Sequence, residues 1–139
     1  MKISIVSLST LLLFMGLFIV QNNGAIASSW IESQTAELQL LDKITARIST
    51  KSVLVGGGTE FGTLKLRVHY CAYRPPEEPP ESTAFLEIYE AKPGEDRRSL
   101  FYGWMFASSP GLNGLEHPVY DVWVLDCKLK SPPKSVGAG

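Results

Sequence analysis

Apolar and polar residues alternate along much of the chain, and this pattern predicts β-strands. The clearest alternation covers residues 64–72, where Leu, Val, Tyr and Ala at even positions alternate with Lys, Arg, His and Cys. A period of two is typical of a strand with one buried face. Further strands are predicted from apolar segments bounded by turn residues, at 83–91, 98–107 and 119–129. The pattern therefore predicts an all-β domain, a small antiparallel β-sandwich or barrel of roughly five to seven strands, and it leaves the choice between sandwich and barrel open.

The beginning of this domain admits two interpretations. Leu38 and Leu40 alternate with polar residues as in a strand, but apolar residues also recur at the spacing of a helix face, at Leu38, Leu41, Ile44 and Ile48. We predict a strand after Lys43 and leave residues 36–42 open between strand and helix.

Two later segments, residues 100–107 and 119–125, are apolar on both faces. Such segments are typical of strands in the interior of a sheet, so we expect both to be central strands. Lys92-Pro93-Gly94-Glu95 has proline and glycine at the positions that a type II turn prefers. Residues 83–107 are therefore predicted to form a β-hairpin.

The first 27 residues have the features of a secretory signal peptide. A basic Lys2 precedes an apolar run that ends at Val20, and Ala25-Ile26-Ala27 forms a small-x-small cleavage site. The alternative is an N-terminal membrane anchor, because about 18 apolar residues can just span a bilayer. We predict cleavage and no stable membrane span afterwards. The exported part then divides into a flexible leader (28–36), a β-domain (37–130) and a disordered tail (131–139).

Both cysteines of the chain, Cys71 and Cys127, lie in this exported part. One disulfide between them is the simplest expectation in an oxidising compartment. Two reduced, buried thiols are the alternative. A redox-active pair is disfavoured because the residues do not form a Cys-x-x-Cys motif.

The composition argues against several classes of function. The chain has 139 residues and a formal net charge of −1, which suits one domain without the basic surface of a nucleic-acid-binding protein. Its two histidines and two cysteines offer no clustered metal ligands. Phosphate-binding glycine motifs and a Gly-x-Ser-x-Gly motif are absent from the sequence. We therefore expect no metal, no cofactor and no nucleic-acid partner.

The segment from Ser108 to Pro118 is the strongest candidate for a functional loop. It joins two strongly apolar segments and is rich in turn-forming residues, and binding residues concentrate on loops held by rigid sheets. Ser109-Pro110 is predicted to begin a single helical turn. The candidate binding residues lie in this loop and beside it, at Trp104, Ser108, Ser109, Asn113, Glu116, His117, Tyr120 and Asp121.

The same loop contains the residue types of a nucleophilic triad, with Ser108 or Ser109 as the nucleophile beside His117 and Asp121. Because no nucleophile elbow surrounds either serine, we predict no catalytic residue. A small cell-envelope hydrolase that uses these groups and Glu116 remains the alternative.

Two further expectations concern side chains near the loop. Strict alternation places Asp121 on an apolar face, so its carboxylate needs hydrogen-bond donors. We expect His117, Tyr102 or loop backbone amides to supply them, so that Asp121 holds the loop down. The second expectation is burial in the core for Tyr102, Trp104, Tyr120 and Trp123, as is usual for aromatic residues of central strands; an aromatic platform for a sugar or a peptide is the alternative.

Several motifs spread over about residues 41–128 form a distinctive set. The longest are GWMFASSPGLN at 103–113 and EHPVYDVW at 116–123, and shorter ones are KITA at 43–46, FGTL at 61–64 and TAFLE at 83–87. Together they resemble the domain of unknown function 2155 family. The resemblance implies a small exported protein of alphaproteobacteria, and hence a periplasmic location. It implies no activity, substrate or cofactor.

These observations favour a non-catalytic periplasmic protein that serves as a binding or assembly accessory for an envelope component. Its partner would be an envelope protein or a cell-wall component. The rigid all-β framework with one constrained loop is the basis of this expectation.

Overall fold

The computed structural model describes Gly24 and residues 29–129. Apart from Gly24, the predicted signal peptide (1–27) lies outside the described residues, and so does the predicted tail (131–139). The described residues contain eight strands: β1 (Ile31–Glu32), β2 (Thr35–Asp42), β3 (Arg47–Leu54), β4 (Gly58–Phe61), β5 (Leu64–Tyr73), β6 (Ser82–Glu90), β7 (Arg98–Phe106) and β8 (Tyr120–Lys128). Nowhere in this part of the chain is there a helix long and apolar enough to cross a membrane.

The strands form two antiparallel sheets that pack as a sandwich. The larger sheet has the order β1-β5-β6-β7, with β4 paired to β5 as well, and the smaller sheet has the order β3-β2-β8. The predicted all-β class is thus confirmed. The strand count exceeds the prediction because the short strands β1 and β4 add to the longer ones that the alternation shows.

The core lies between the inner faces of the two sheets. Each long strand contributes alternate apolar residues, as the period of two requires. Among the described residues, the largest side chains with almost no exposure are Leu38, Leu40, Leu64, Leu86, Ile88, Val68 and Val124. Burial of this kind stabilises the fold by about 25 cal/mol for each Å² of apolar surface removed from water.

Residues 36–42, which the sequence leaves open between strand and helix, form a strand in the structure. Every second residue of β2 is buried, and the strand pairs with β3 on one side and β8 on the other. The predicted strand after Lys43 begins three residues later than expected, at Arg47. Asp42 explains the delay, because its Oδ1 accepts hydrogen bonds from the backbone N–H groups of Ile44 (2.9 Å) and Thr45 (3.1 Å) and closes a turn.

The leader expected over 28–36 needs correction where the structure describes it. Ile31 pairs with Tyr73 in the larger sheet, and Thr35 already belongs to β2. Between them, Ser33 is buried and its hydroxyl donates a hydrogen bond to the backbone C=O of Lys128. Residues 31–36 are therefore part of the β-domain.

The expectation that 100–107 and 119–125 form central strands is wrong, because β7 and β8 each lie at the end of a sheet. On the outer face of β7, Tyr102 and Trp104 remain 68% and 41% exposed. The apolar residues on this face of β7 therefore form an exposed aromatic surface and are not buried.

Cys71 and Cys127 form the predicted disulfide, which joins the two sheets with a Cα–Cα distance of 5.7 Å. Strict alternation would place both cysteines on outer faces. A β-bulge in each strand prevents this, since His69 is an extra residue in β5 and Leu125 an extra residue in β8. One extra residue reverses the facing of every residue that follows. Both cysteines consequently lie in the core.

The hairpin predicted over 83–107 is confirmed by β6 and β7. Its turn is of type II, because the N–H of Glu95 donates to the C=O of Lys92 (3.1 Å) and Gly94 has a positive φ of 77°. Proline and glycine thus occupy the positions for which the turn geometry selects them.

Candidate functional site

The loop between β7 and β8 is held against the end of the larger sheet. The Asn113 side-chain amide donates a hydrogen bond to the backbone C=O of Trp104 (2.8 Å), and Leu115 is buried in the core. The N–H of Leu112 donates to the C=O of Ser109 (3.0 Å), which gives the single turn that Ser109-Pro110 predicts. The candidate loop is therefore a folded part of the domain.

His117 is buried and fixed by backbone groups. Its Nδ1 accepts hydrogen bonds from the N–H groups of Val119 and Tyr120, both at 3.1 Å. Because Nδ1 is an acceptor, the proton of the neutral ring lies on Nε2, which faces Oε1 of Glu90 at 3.4 Å. The ring also stacks on Tyr120. His117 therefore joins the loop to both sheets.

Glu90, which the sequence analysis did not single out, is a buried carboxylate beneath this histidine. It accepts hydrogen bonds from Thr63 Oγ1 (3.1 Å) and Arg98 Nη2 (2.9 Å), and Lys92 Nζ lies 3.5 Å away. Burial raises the pKa of Glu90, but the hydrogen bonds from Thr63, Arg98 and His117 outweigh burial and hold this pKa below its ordinary value. The carboxylate is fully engaged in structural contacts.

Ser108 is engaged by a different carboxylate. Its hydroxyl and its backbone N–H both donate to Glu81, in the connection between β5 and β6. Burial raises the pKa of Glu81, and the bonds from Ser108, together with the N–H of Ser82 and the charge of Arg74, lower it below its ordinary value. Within the described residues neither Ser108 nor Ser109 bonds to His117, so the structure does not assemble the triad.

Asp121 holds the loop by a route other than the predicted one. Its carboxylate is half-exposed and forms an ion pair with Lys43 (3.1 Å), and the same Lys43 Nζ donates to the backbone C=O of His117 (2.7 Å). In the described part of the chain, neither the His117 ring nor Tyr102 nor a loop amide donates a hydrogen bond to this carboxylate. Lys43 thus connects Asp121 to the loop. The sequence gives no sign that the side chain after β2 reaches both groups.

The outer surface of the larger sheet carries a continuous row of aromatic rings, here called the outer aromatic face and defined as Tyr70, Phe85, Tyr102 and Trp104. Phe85 lies in the middle, 4.9 Å from the Tyr102 ring centroid and 5.2 Å from that of Trp104. Tyr70 continues the row at 5.5 Å from Trp104. All three pairs are edge-to-face, the arrangement that aromatic rings prefer.

One end of the outer aromatic face borders a groove of about 330 Å³. Its walls are mainly aromatic and its lining residues are Trp30, Tyr70, Thr83, Trp104 and Phe106. Trp30 is held there by the Arg74 guanidinium, which lies 5.0 Å from the ring centroid. A volume of this size is at the lower end of the range for ligand pockets.

The structure thus divides the predicted site residues among several places. Trp104 and Tyr102 belong to the outer aromatic face, whereas Tyr120 packs between Phe61 and His117 and is no part of it. Trp123 lines a separate groove of about 340 Å³ beside the loop, together with Asp121. Glu116 and Ser109 are exposed on the loop.

Phe85, Tyr70 and Trp30 were missed by the sequence analysis. A signal for Phe85 exists, because it alternates in phase with Glu87 on the polar face of β6. Tyr70 gives no such signal, since the bulge at His69 reverses its expected facing.

Comparison with known proteins gives two matches of the same kind. A family model described as "Uncharacterized protein conserved in bacteria (DUF2155)" matches residues 36–127. An uncharacterized protein of Rickettsia prowazekii (strain Madrid E) is 34% identical over 87 residues, which cover 63% of this chain and 56% of the relative. The match therefore spans little more than half of that protein's length. No solved structure matches the chain.

Proposed function

The chain belongs to this family of uncharacterized bacterial proteins, the domain of unknown function 2155 family, and from that premise we propose that it is a non-catalytic binding protein of the periplasm. It attaches to another protein of the cell envelope through the outer aromatic face. The observation that carries this proposal is a row of interlocked aromatic rings left open on the outside of a rigid sheet.

Exposed apolar surface of this kind is costly to keep in water. Soluble proteins rarely expose contiguous apolar patches larger than a few hundred Å², and patches above that size mark interaction sites. Tyr102 is 68% exposed and Trp104 is 41% exposed, although both belong to a regular strand. Their mutual packing fixes the rings before any partner arrives, which lowers the entropy cost of binding.

The ring geometry favours a polypeptide over a glycan. A sugar ring stacks on a flat aromatic platform, whereas these neighbouring rings stand nearly perpendicular to one another, at interplanar angles of 76°, 86° and 80°. The groove beside Trp104 instead has the apolar walls and the volume, about 330 Å³, to receive an apolar side chain. Buried aromatic anchors in such grooves dominate the energetics of protein interfaces.

The contacts of the loop residues support a binding role over the hydrolase alternative. His117 is 9% exposed and Nδ1 is saturated by two backbone N–H groups, so it is not placed to accept a proton from a serine. The Ser108 hydroxyl is committed to Glu81. His117 and Ser108 therefore stabilise the fold that carries the outer aromatic face.

The periplasmic location draws support from the disulfide between Cys71 and Cys127. Structural disulfides persist in oxidising compartments such as the periplasm and are rare in the cytosol. Release of the protein by osmotic shock, with a mature chain that begins at Ser28, is the expected result of cell fractionation and N-terminal sequencing.

The proposal is tested by photo-crosslinking in the native cells. A photoreactive amino acid at Tyr102 should give a crosslinked product with one defined envelope protein. Adding Trp104→Ala should remove the product, because it deletes one wall of the groove. A probe at Glu116, which is also exposed but lies on the loop, is the matched control and should give none.

Two results would overturn the proposal. One is a product at Glu116 that persists when Trp104 is replaced, which would place the contact on the loop. The other is sedimentation of the purified protein with isolated peptidoglycan that depends on Trp104, which would identify a cell-wall ligand.

A further inference from the structure

Strand β3 is an open edge of the smaller sheet. It pairs with β2 alone, over its full length from Arg47 to Leu54. The N–H of Val55 donates to the C=O of Gln34 and the C=O of Leu54 accepts from Gly57, and these two bonds fix which residues face β2. In an antiparallel pair the bonding direction alternates, so the backbone groups of Ile48, Thr50 and Ser52 point away from the sheet. Among the described residues no backbone partner is bonded to them.

The inner face of β3 is also unusual, because its first part is cationic. Val53 is buried in the core, but Arg47, Ser49 and Lys51 on the same face line an open cleft of about 400 Å³. Across this cleft lie Phe61 and Tyr120. The two sheets therefore part at this end of the sandwich and leave space beside β3.

The charged residues that line the cleft differ in whether they already have a partner within the domain. Glu60 is paired with Lys65, and Asp42 is occupied by the backbone N–H groups of the turn that follows it. Neither Arg47 nor Lys51 forms an ion pair with any residue of the described part of the chain. The backbone N–H groups of this turn are the main cause that lowers the pKa of Asp42, and Arg47 acts on that carboxyl only through space, by its charge. Both cations are therefore left for an incoming carboxylate, beside the two aromatic rings of the cleft.

We propose that β3 accepts an extended, acidic segment of a partner protein as a fourth strand of the smaller sheet. Backbone hydrogen bonds to Ile48, Thr50 and Ser52 would hold the segment, in the manner of β-strand addition. Its alternate side chains enter the cleft, where carboxylates meet Arg47 and Lys51. This surface belongs to the other sheet from the outer aromatic face, and it stands or falls independently of the function proposed above.

The competing explanation is that Arg47 and Lys51 only protect the edge. Inward-pointing charges and lysines on edge strands prevent unwanted pairing. A protective role predicts that no strand is accepted, whatever its charge. Strand addition predicts acceptance of acidic strands and rejection of basic ones, because like charges facing each other across a pair are destabilising.

A designed peptide distinguishes the two explanations. The probe is a ten-residue peptide of alternating glutamate and valine with blocked ends, and its control has lysine in place of glutamate. NMR titration of the purified domain should show binding of the acidic peptide alone. The amides of Ile48, Thr50 and Ser52 should become at least about tenfold slower in hydrogen exchange, because they gain hydrogen-bond partners.

Matched variants separate backbone pairing from charge. Thr50→Pro removes an outward N–H without touching the ladder to β2, and it should weaken binding of the acidic peptide at least about tenfold. Thr50→Val retains the N–H and should bind normally. Lys51→Glu should exchange the preference, so that the lysine peptide binds better than the glutamate peptide. Retention of the native NMR spectrum shows that each variant is folded.

Three results would overturn the proposal. They are equal binding of both peptides, unchanged binding after Thr50→Pro, and slower exchange of the same three amides on concentration alone, with dimers seen in sedimentation. The last result would make a second copy of the chain the occupant of the edge.

Discussion

Glu90 is the residue on which the contacts at one end of the sandwich converge. It is 5% exposed, and it receives hydrogen bonds from the β4–β5 turn through Thr63, from β7 through Arg98 and from the loop through His117. A buried charge with several donors stabilises the fold only while it stays ionised. Its protonation state therefore matters to the loop and to both sheets.

Replacing Glu90 by Gln tests this role. We expect Glu90→Gln to lower the free energy of unfolding by about 1–3 kcal/mol at neutral pH, since buried donors lose a charged acceptor. The native pKa of Glu90 is depressed, so the stabilisation is full above the ordinary value of 4.5 and is lost as the pH falls through the lower native pKa.

Urea denaturation at several pH values measures the effect. The difference between wild type and Glu90→Gln should shrink as the pH decreases below 4.5. Glu60→Gln is the control, because Glu60 forms an exposed ion pair with Lys65 and such pairs contribute little. A difference that stays constant from neutral to acid pH would contradict the structural role of the Glu90 charge.

Gly62 is a second residue with a specific requirement. Its φ is +57°, and a Cβ at this position would lie 2.2 Å from Tyr120 Oη. The tyrosine ring cannot swing aside without leaving Phe61 and His117. Glycine is thus required by backbone conformation and by space together.

We expect Gly62→Ala to cost about 2–4 kcal/mol of stability, from overpacking added to left-handed strain. Gly94→Ala is the matched control, because Gly94 has a φ of +77° but open space around its Cα. It should cost only the strain, about 1–2 kcal/mol. Thermal unfolding followed by circular dichroism compares them, and equal losses would show that contact with Tyr120 contributes nothing.

The strands show which features the sequence could predict. The hairpin of β6 and β7 and its type II turn follow from local alternation and from Pro93-Gly94. The burial of Glu90 could be predicted from the sequence, because Glu90 continues the alternate positions Ala84, Leu86 and Ile88 that form the buried face of β6. The position of β7 and β8 at sheet ends was not, because strand order depends on contacts between distant segments.

The sequence does not predict the two β-bulges, and this omission has the largest effect on which face each side chain is assigned to. Strict alternation through His69 places Tyr70 and Cys71 on the wrong faces, and alternation through Leu125 puts Cys127 on the same face as Asp121. A bulge is one extra residue opposite a partner strand, so it has no signature within its own strand. Of the outer aromatic face, Tyr70 is therefore the residue whose facing the sequence does not indicate.

Deleting His69 tests the link between bulge and disulfide. The deletion should remove the bulge in β5 and turn Cys71 toward solvent, so that free thiols appear in mass spectrometry after alkylation. His69→Ala keeps the residue count and should retain the disulfide. Formation of the Cys71–Cys127 bond in the deletion variant would show that the bulge does not set the facing of Cys71.

At the scale of the whole molecule, one covalent bond joins two sheets that are otherwise held by their shared core. The disulfide closes a loop with a sequence separation of 56 residues. In the chain-entropy model a loop of this size contributes about 4 kcal/mol, by restricting the unfolded chain. The domain is small, so this is a large part of its stability.

The variant with Cys71→Ala and Cys127→Ala should therefore lose about 4 kcal/mol in the free energy of unfolding. Its urea m-value should rise, because the unfolded chain exposes more surface without the cross-link. Reduction of the wild-type protein provides the parallel measurement. A transition that reduction leaves unmoved would assign the stability to the core alone.

The pairing of β2 with β8 has a consequence for the order of events in time. These strands come from opposite ends of the described domain, so a chain that emerges with its N-terminus first carries Leu38 and Leu40 without their final cover until residues 120–128 arrive. Contacts of such long range slow folding and leave apolar surface open to aggregation meanwhile. The arrival of the last strand is therefore expected to be the step that commits the chain to its native state.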